Sequence, residues 1–236
     1  MGITYGTSTL FQATKGIVQD GLVLNLDAGV NKSYPRNGTT WYDLSNTGNG
    51  TLTNGPTFSR NNGGVITFDG TDDNVTLGTG GSLGLDSYHS VEFWVYPFTQ
   101  QVRDRGLLRN LGSGGNTNNF IHYIFRDGNI HMGWYSNDLS AHNTVVANNW
   151  HHIVFLLDSA DDKRRIYKNS SLVATDSSAR TTTPNVTNTT TYLGYYSSSA
   201  TTSFNGLMAT CRIYNRSLTA TEVLQNYNAT KARFGL

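Results

Sequence analysis

From Asp20 onward, apolar and polar residues alternate in short runs separated by Gly, Asn, Asp and Ser, the two-residue period of half-buried strands. "GLVLNLDA" places Leu22, Leu24 and Leu26 on one face, with Asn25 and Asp27 on the other. "GGVITFDG" and "NVTLG" flank an Asp-rich turn, and "SVEFWVYP" alternates Val91, Phe93 and Val95 with Glu92, Trp94 and Tyr96 before Pro97 ends it. The strongest local signal is "FIHYIFRDGNIHMGWY". There Asp127-Gly128 predicts a type I′ turn that pairs Arg126 with Asn129, Phe125 with Ile130, Ile124 with His131 and Tyr123 with Met132. Ile121, Tyr123, Phe125, Ile130, Met132 and Trp134 then share the core face. His122, Ile124, Arg126, Asn129 and His131 share a second face that is mostly polar. "RRIYKNSSLVAT" predicts another hairpin and "TTTYLGYY" another strand. A helix is signalled only near the end, where Thr219 and Glu222 fit a capping box. The helix it opens would bury Val223, Leu224 and Tyr227 and lie outside the sheets. The expected class is all-β, with one short C-terminal helix.

"NWHHIVFLLD" invites a metal or catalytic reading because His151 and His152 are adjacent. Strand parity argues against both. Trp150, His152, Val154 and Leu156 project to one face and His151, Ile153, Phe155 and Leu157 to the other, so the two imidazoles cannot share an ion.

Composition narrows the function classes. Charged residues make up 14% of the 236, against about 25% in an average domain, and the net charge is +1. Without clustered cations, nucleic-acid binding is not expected. The short "KRR" run at 163–165 reads as a solvated hairpin loop. The single cysteine, Cys211, excludes an internal disulfide and reads as a core residue in phase with Leu207, Ala209 and Ile213. No run of about 18 apolar residues predicts a membrane span. The N-terminus lacks a signal-peptide pattern, and the sequons at Asn37 and Asn185 follow from a chain rich in Asn, Ser and Thr. Residues 1–20 are weakly patterned. They read either as a loosely ordered terminus or as an arm that anchors the protein to a neighbour, with the domain proper at 21–236.

Taken in order, "DGLVLNLDA", "TTWYDLSNTGNGTLTNGPTFS", "GGVITFDGTDDNVTLG", "VEFWVYP", "NWHHIVFLLD" and "FNGLMATCRIYNRSLTATEV" resemble the laminin G-like, concanavalin A-like jelly-roll module over roughly residues 20–230. The resemblance implies a jelly-roll β-sandwich. Its "NSS" at 169–171 departs from the family's Asn-Gly turn, so a change of turn geometry is expected there. "FDGTDDNV" and the ending "YNRSLTATEVLQNYNATKARF" are also similar to modules in virion proteins of tailed phages, marine ones especially. That likeness implies a protein made in the host cytoplasm and carried on the virion, as a capsid decoration or a tail or fibre part. Its partners would then be other virion proteins reached through the arm, further copies of itself, and a host glycan.

Related folds include glucanases with paired carboxylates about 5.5 Å apart in retaining enzymes. This chain has two glutamates, Glu92 without a carboxylate two or four residues on and Glu222 in the capping box, so a non-enzymatic protein is expected and a glycosidase ranks third. Asp69, Asp72, Asp73 and Asn74 crowd oxygen donors into one turn, which suits calcium, although the same residues are ordinary turn formers. His122 and His131 share a face but show no third ligand for zinc. Saccharides need an aromatic platform with polar groups around it. Tyr135, Tyr195, Tyr196, Trp41 and Tyr42 are candidate platforms, with Trp41 read as an internal anchor. His122, Arg126 and His131 are candidate polar partners. The sequence does not choose a single site among them.

Overall fold

The computed structural model describes residues 16–100, 102–110, 121–134, 137–180, 184–197 and 202–236. The chain runs through β1 (Leu22–Asp27), β2 (Thr40–Trp41), β3 (Gly50–Thr53), β4 (Thr57–Ser59), β5 (Val65–Asp69), β6 (Asn74–Thr79), β7 (Ser90–Pro97) and β8 (Arg105–Asn110). It continues through β9 (Ile121–Arg126), β10 (Asn129–Trp134), β11 (Asn137–Ala141), β12 (His151–Leu157), β13 (Arg164–Lys168), β14 (Ser171–Thr175), β15 (Thr190–Leu193) and β16 (Asn205–Tyr214) to helix α1 (Ala220–Thr230). The strands form two antiparallel sheets. The first follows β14-β13-β12-β7-β16-β5-β4, with β1 on the far half of β16, and the second follows β11-β10-β9-β8-β15-β6-β3-β2. The all-β sandwich expected from the alternation is the fold found.

The space between the sheets is filled by one face of each. Phe93, Val95, Ile153, Phe155 and Ile213 of the first sheet meet Tyr123, Phe125, Ile130, Met132 and Trp134 of the second. The hairpin joining β9 and β10 has the predicted register, and Asp127 and Gly128 both take positive φ (50° and 77°) as a type I′ turn requires. The β13–β14 turn is a correction. Asn169 and Ser170 both lie in the left-handed region, at 48° and 66°, so the serine keeps the geometry that glycine would adopt.

Parity fails wherever a strand is irregular. A register shift between Met208 and Thr210 re-phases β16, so Met208, Cys211 and Ile213 face the core while Leu207 and Ala209 face outward. A second shift in β1 leaves Leu24 and Leu26 inside and turns Leu22 toward the helix side. The "KRR" run is not a solvated loop. Arg164 is buried at the start of β13, bidentate to Asp176 and stacked 4.7 Å over the Trp134 ring.

Helix α1 lies on the outer face of the first sheet, with the expected reciprocal cap between Thr219 and Glu222. It buries Val223 and Asn226, whereas Leu224 is 45% exposed, which corrects the predicted stripe. Trp94 stacks between Tyr227 and Phe234, and Trp150 is half-buried against Phe234. Beneath the helix sits a fully buried polar group. Arg212 Nη1 donates to Glu92 Oε1 at 2.6 Å, and Asn226 Nδ2 donates to Glu92 Oε2 at 2.5 Å and to the Tyr214 hydroxyl at 2.9 Å. His152 Nε2 lies 3.3 Å from Glu92 Oε1 without hydrogen-bond geometry. Burial alone would raise the Glu92 pKa, but Arg212, then His152 and Asn226, outweigh it and hold the carboxyl at about 2. The N-terminal segment is tied to the same helix, since Val18 N donates to Asn226 Oδ1 and Gln225 Nε2 donates to Gly16 O. Residues 1–15 of the expected arm lie outside the described residues.

Candidate functional site on the outer face of the second sheet

Among the described residues no helix covers the outer face of the second sheet. Its registers place one continuous row across the strands: Asp138, Gly133, His122, Arg109, Tyr192, Thr76, Thr51 and Thr40. Two in-strand glycines shape the polar end of this row. A Cβ on Gly133 would lie 2.2 Å from Asp138 Oδ1, so its absence lets Asp138 reach over β10 to His122 Nε2 at 2.7 Å. A Cβ on Gly106 would lie 2.1 Å from Tyr195 O and 2.8 Å from Tyr196 N, so the 195–196 backbone rests directly on β8. The loop is closed at its base by Phe204 N to Gly194 O and Gly106 N to Thr202 O.

This seating stacks aromatic and charged groups. The Arg109 guanidinium lies 4.7 Å over the Tyr196 ring, a cation–π contact. His122 meets the same ring edge-on at 5.9 Å, and Tyr192 and Tyr195 form a tilted pair at 5.5 Å. All three tyrosines are half-buried, with part of each at the surface. Arg126 Nε donates to Asp104, and its Nη1 donates to Asp138 Oδ2 at 2.9 Å. Burial would raise the Asp138 pKa, but His122 and Arg126 outweigh it and hold the carboxyl at about 2. Burial, then the Arg126 charge, lower the His131 pKa, while burial raises that of Tyr196. His131 Nδ1 shares a 2.8 Å hydrogen bond with Ser140 Oγ.

The expected ligand-binding residues Tyr195, Tyr196, His122, Arg126 and His131 therefore fall on one face, and Tyr135 lies outside the described residues. The expected open polar face is corrected in one respect. His122 and His131 are buried, at 3% and 6%, because Asp138, Ser140 and the Tyr195–Tyr196 loop close over them. Arg109, Tyr192, Asp104 and Asp138 were missed. The available signal was a glycine inside each of two strand patterns, which marks a close approach of other groups.

The acidic turn lies between β5 and β6, where the chain crosses from one sheet to the other. Asp69, Asp72 and Asp73 bring one carboxyl oxygen each within 4.8 Å of the others. Asp73 is buried, and burial first, opposed by a backbone hydrogen bond from Asp69, then the charges of Asp69 and Asp72, raise its pKa. A hard divalent cation would relieve that repulsion, so the donor set fits calcium. Asn74 is less suited to join, since its Nδ2 donates to Asp72 O and its Oδ1 accepts from Thr76.

The family model of the laminin G-like branch of the concanavalin A-like lectin/glucanases superfamily matches residues 69–224, more than half of the chain. The chain belongs to the concanavalin A-like lectin/glucanases superfamily. No curated protein sequence matches it. Among solved structures, this member of the superfamily is similar to domain 4 of the arabinanase AbnA from Geobacillus stearothermophilus, solved with arabinotriose. The identity is 19% and the TM-score 0.65, over 87% of this chain and 98% of that one. It is also similar to Trypanosoma rangeli sialidase (14%, TM-score 0.67, 90% of this chain and 33% of that one). The binding domain of botulinum neurotoxin serotype D is a third likeness (12%, TM-score 0.66, 89% and 52%). The chain thus spans about a third of the sialidase and about half of the neurotoxin domain. The fold is of a carbohydrate-binding type, shared by glycosidases and binding domains alike.

Proposed function

We propose that the protein is a non-enzymatic, saccharide-binding surface protein of a tailed-phage virion, with its ligand face on the outer side of the second sheet. The observation that carries the ligand face is the Tyr195–Tyr196 loop seated on Gly106 above Arg109, beside Tyr192, His122 and the Asp138–Arg126–Asp104 chain. Half-exposed rings offer apolar area to a sugar ring, and the fixed polar groups around them suit hydroxyls. The non-enzymatic reading is supported by the state of the two glutamates. Glu92 is buried in its ion pair beneath α1, and Glu222 is held by Arg216 and its own cap. A glycan array tests the ligand reading, with at least one host-surface saccharide expected to bind and a blank array contradicting it.

The virion placement rests on the sequence likeness of "FDGTDDNV" and the C-terminal segment to phage modules. It is supported by the docking of Gly16 and Val18 on α1, on the face opposite the tyrosines. An arm anchored there would leave the ligand face outward. Deleting residues 1–15 is expected to abolish incorporation into particles while leaving the Tm unchanged, and undiminished incorporation would remove the arm from the account.

Calcium at Asp69, Asp72 and Asp73 is part of the proposal. At a concentration about 100 times the Kd, bound calcium adds about 2.7 kcal/mol, which for a domain of this size raises the Tm by about 5–10 °C. Asp73→Asn should remove that rise, and a Tm indifferent to millimolar calcium would rule the site out.

A further inference from the structure

We infer that the protein has a second saccharide site, centred on Tyr42 at the opposite edge of the second sheet, with a preference for sugars that carry a carboxylate. Tyr42 is 44% exposed and follows β2, the edge strand. It borders a cleft of about 510 Å³ that Asn31, Lys32, Asn46 and Asn49 also line.

The surrounding loop is built to hold that ring out. The buried carboxyl of Asp43 accepts four backbone amides: Asn25 and Ser45 on Oδ1 at 2.7 and 2.9 Å, Thr47 and Gly48 on Oδ2 at 2.7 and 3.3 Å. Asp43 N in turn donates to Asn49 Oδ1 at 3.0 Å. Tyr42 itself is clamped at both backbone groups, its N donating to Ser33 O at 2.7 Å and its O accepting from Ser33 Oγ at 2.6 Å. With its backbone held at both groups, Tyr42 presents an open ring, its hydroxyl unpartnered among the described residues, as a platform for the apolar face of a sugar.

The lining groups define the ligand class. Tyr42 supplies the apolar platform, and the side chains of Asn31 and Asn46, together with Nδ2 of Asn49, make no hydrogen bond within the described residues. Amides of this kind serve the paired donors and acceptors of sugar hydroxyls. Lys32 is exposed without an ion pair among the described residues, and the one carboxyl of the cleft is committed to backbone amides. The cleft therefore presents one available charge, and it is positive, which selects a uronic-type sugar.

Four strand spacings separate β8, on which the Tyr195–Tyr196 loop rests, from β2, or about 19 Å at ~4.8 Å each. The Tyr42 cleft is thus independent of the Tyr195–Tyr196 face, and two sites on one chain raise avidity for a polymeric glycan without further contacts. The inference shares with the proposed function only the ligand class.

Backbone-amide NMR with galacturonate trimer and neutral galactose trimer, each at about 10 mM, where a site of millimolar affinity is largely filled, tests it. The uronate trimer is expected to shift amides within residues 31–49, in the unmodified protein and in a Tyr195→Ala/Tyr196→Ala variant alike. Tyr42→Ala, at an exposed position that leaves the fold intact, should weaken this response at least tenfold, and Lys32→Met should reduce the uronate to the neutral sugar's level. Absence of shifts at 31–49 with both trimers, or shifts indifferent to Tyr42→Ala, overturns the site. Equal response to both trimers overturns the uronate preference. Shifts at 31–49 without any on the tyrosine face leave this inference standing, and the proposed function then stands or falls separately on titration of its own array ligand into the Tyr195→Ala/Tyr196→Ala variant.

Discussion

Glu92→Gln is expected to lower the Tm by roughly 10 °C, because it costs about 3–5 kcal/mol to strand one member of a buried pair and each kcal/mol shifts a domain of this size by about 2–4 °C. Arg212 is 2% exposed, and its other carboxylate, Asp27 at 3.8 Å, is already paired with Arg233 Nη1 at 2.7 Å and so only partly replaces the lost charge. The damage should spread to the helix and the N-terminal segment, since Asn226 links Glu92 to Val18. A double variant, Glu92→Leu with Arg212→Met, should recover most of the loss, because an apolar pair removes both desolvation costs. Calorimetry on the three proteins checks this. A single variant within about 2 °C of the parent, less than 1 kcal/mol for this size, would show that the helix side does not depend on the pair.

The second large effect is acid lability in two stages. His89 is fully buried, and desolvation first holds its pKa at about 4 despite a hydrogen bond to Ser87 O. Burial likewise lowers His151 to about 4. Both folded values lie below the unfolded one, about 6.5. The unfolded chain therefore binds more protons between pH 6.5 and 4, and stability falls as pH falls through that window. For His89 alone the loss is about 3 kcal/mol by pH 4, at about 1.4 kcal/mol per pKa unit. Glu92, lowered to about 2, adds a second loss as pH falls from about 4.5 toward 2. Urea unfolding at pH 7.5, 6, 5 and 4 should show a steadily falling midpoint, with the fall reduced in His89→Gln. A midpoint unchanged from 7.5 to 4.5 would contradict the neutral, buried state of both histidines.

Much of the fold was legible because alternation and turn chemistry are local. Asp127-Gly128 fixed the register of the β9–β10 hairpin residue by residue, and Thr219 with Glu222 located the helix start. The misreadings share one cause. Met208–Thr210 and Leu22–Leu24 contain register shifts that no period of two can foresee, and a bulge reverses the face of all that follows. Leu224 and Asn226 exchanged places because the buried partner of Asn226 is Glu92, 134 residues away. The adjacent histidines of β12 do face opposite ways, His151 to Val146 and His152 toward Glu92 and Trp94. In the candidate site, Tyr195, Tyr196, His122, Arg126 and His131 were legible as residue types. Their meeting depends on Gly106 and Gly133, where a missing side chain admits a distant segment, and on Arg109 and Tyr192, which only the strand order brings into the same row.

The central claim is that saccharide binds where the Tyr195–Tyr196 loop rests on β8. The most direct measurement is titration of the strongest glycan-array ligand into the parent protein, Tyr195→Ala/Tyr196→Ala and Gly106→Ala, with circular dichroism confirming each fold. The Gly106 variant keeps every polar and aromatic group but pushes the loop backbone off the strand. Both variants are expected to bind at least tenfold more weakly, about 1.4 kcal/mol. Parent-like affinity in both folded variants would place the ligand elsewhere on the molecule and contradict the account.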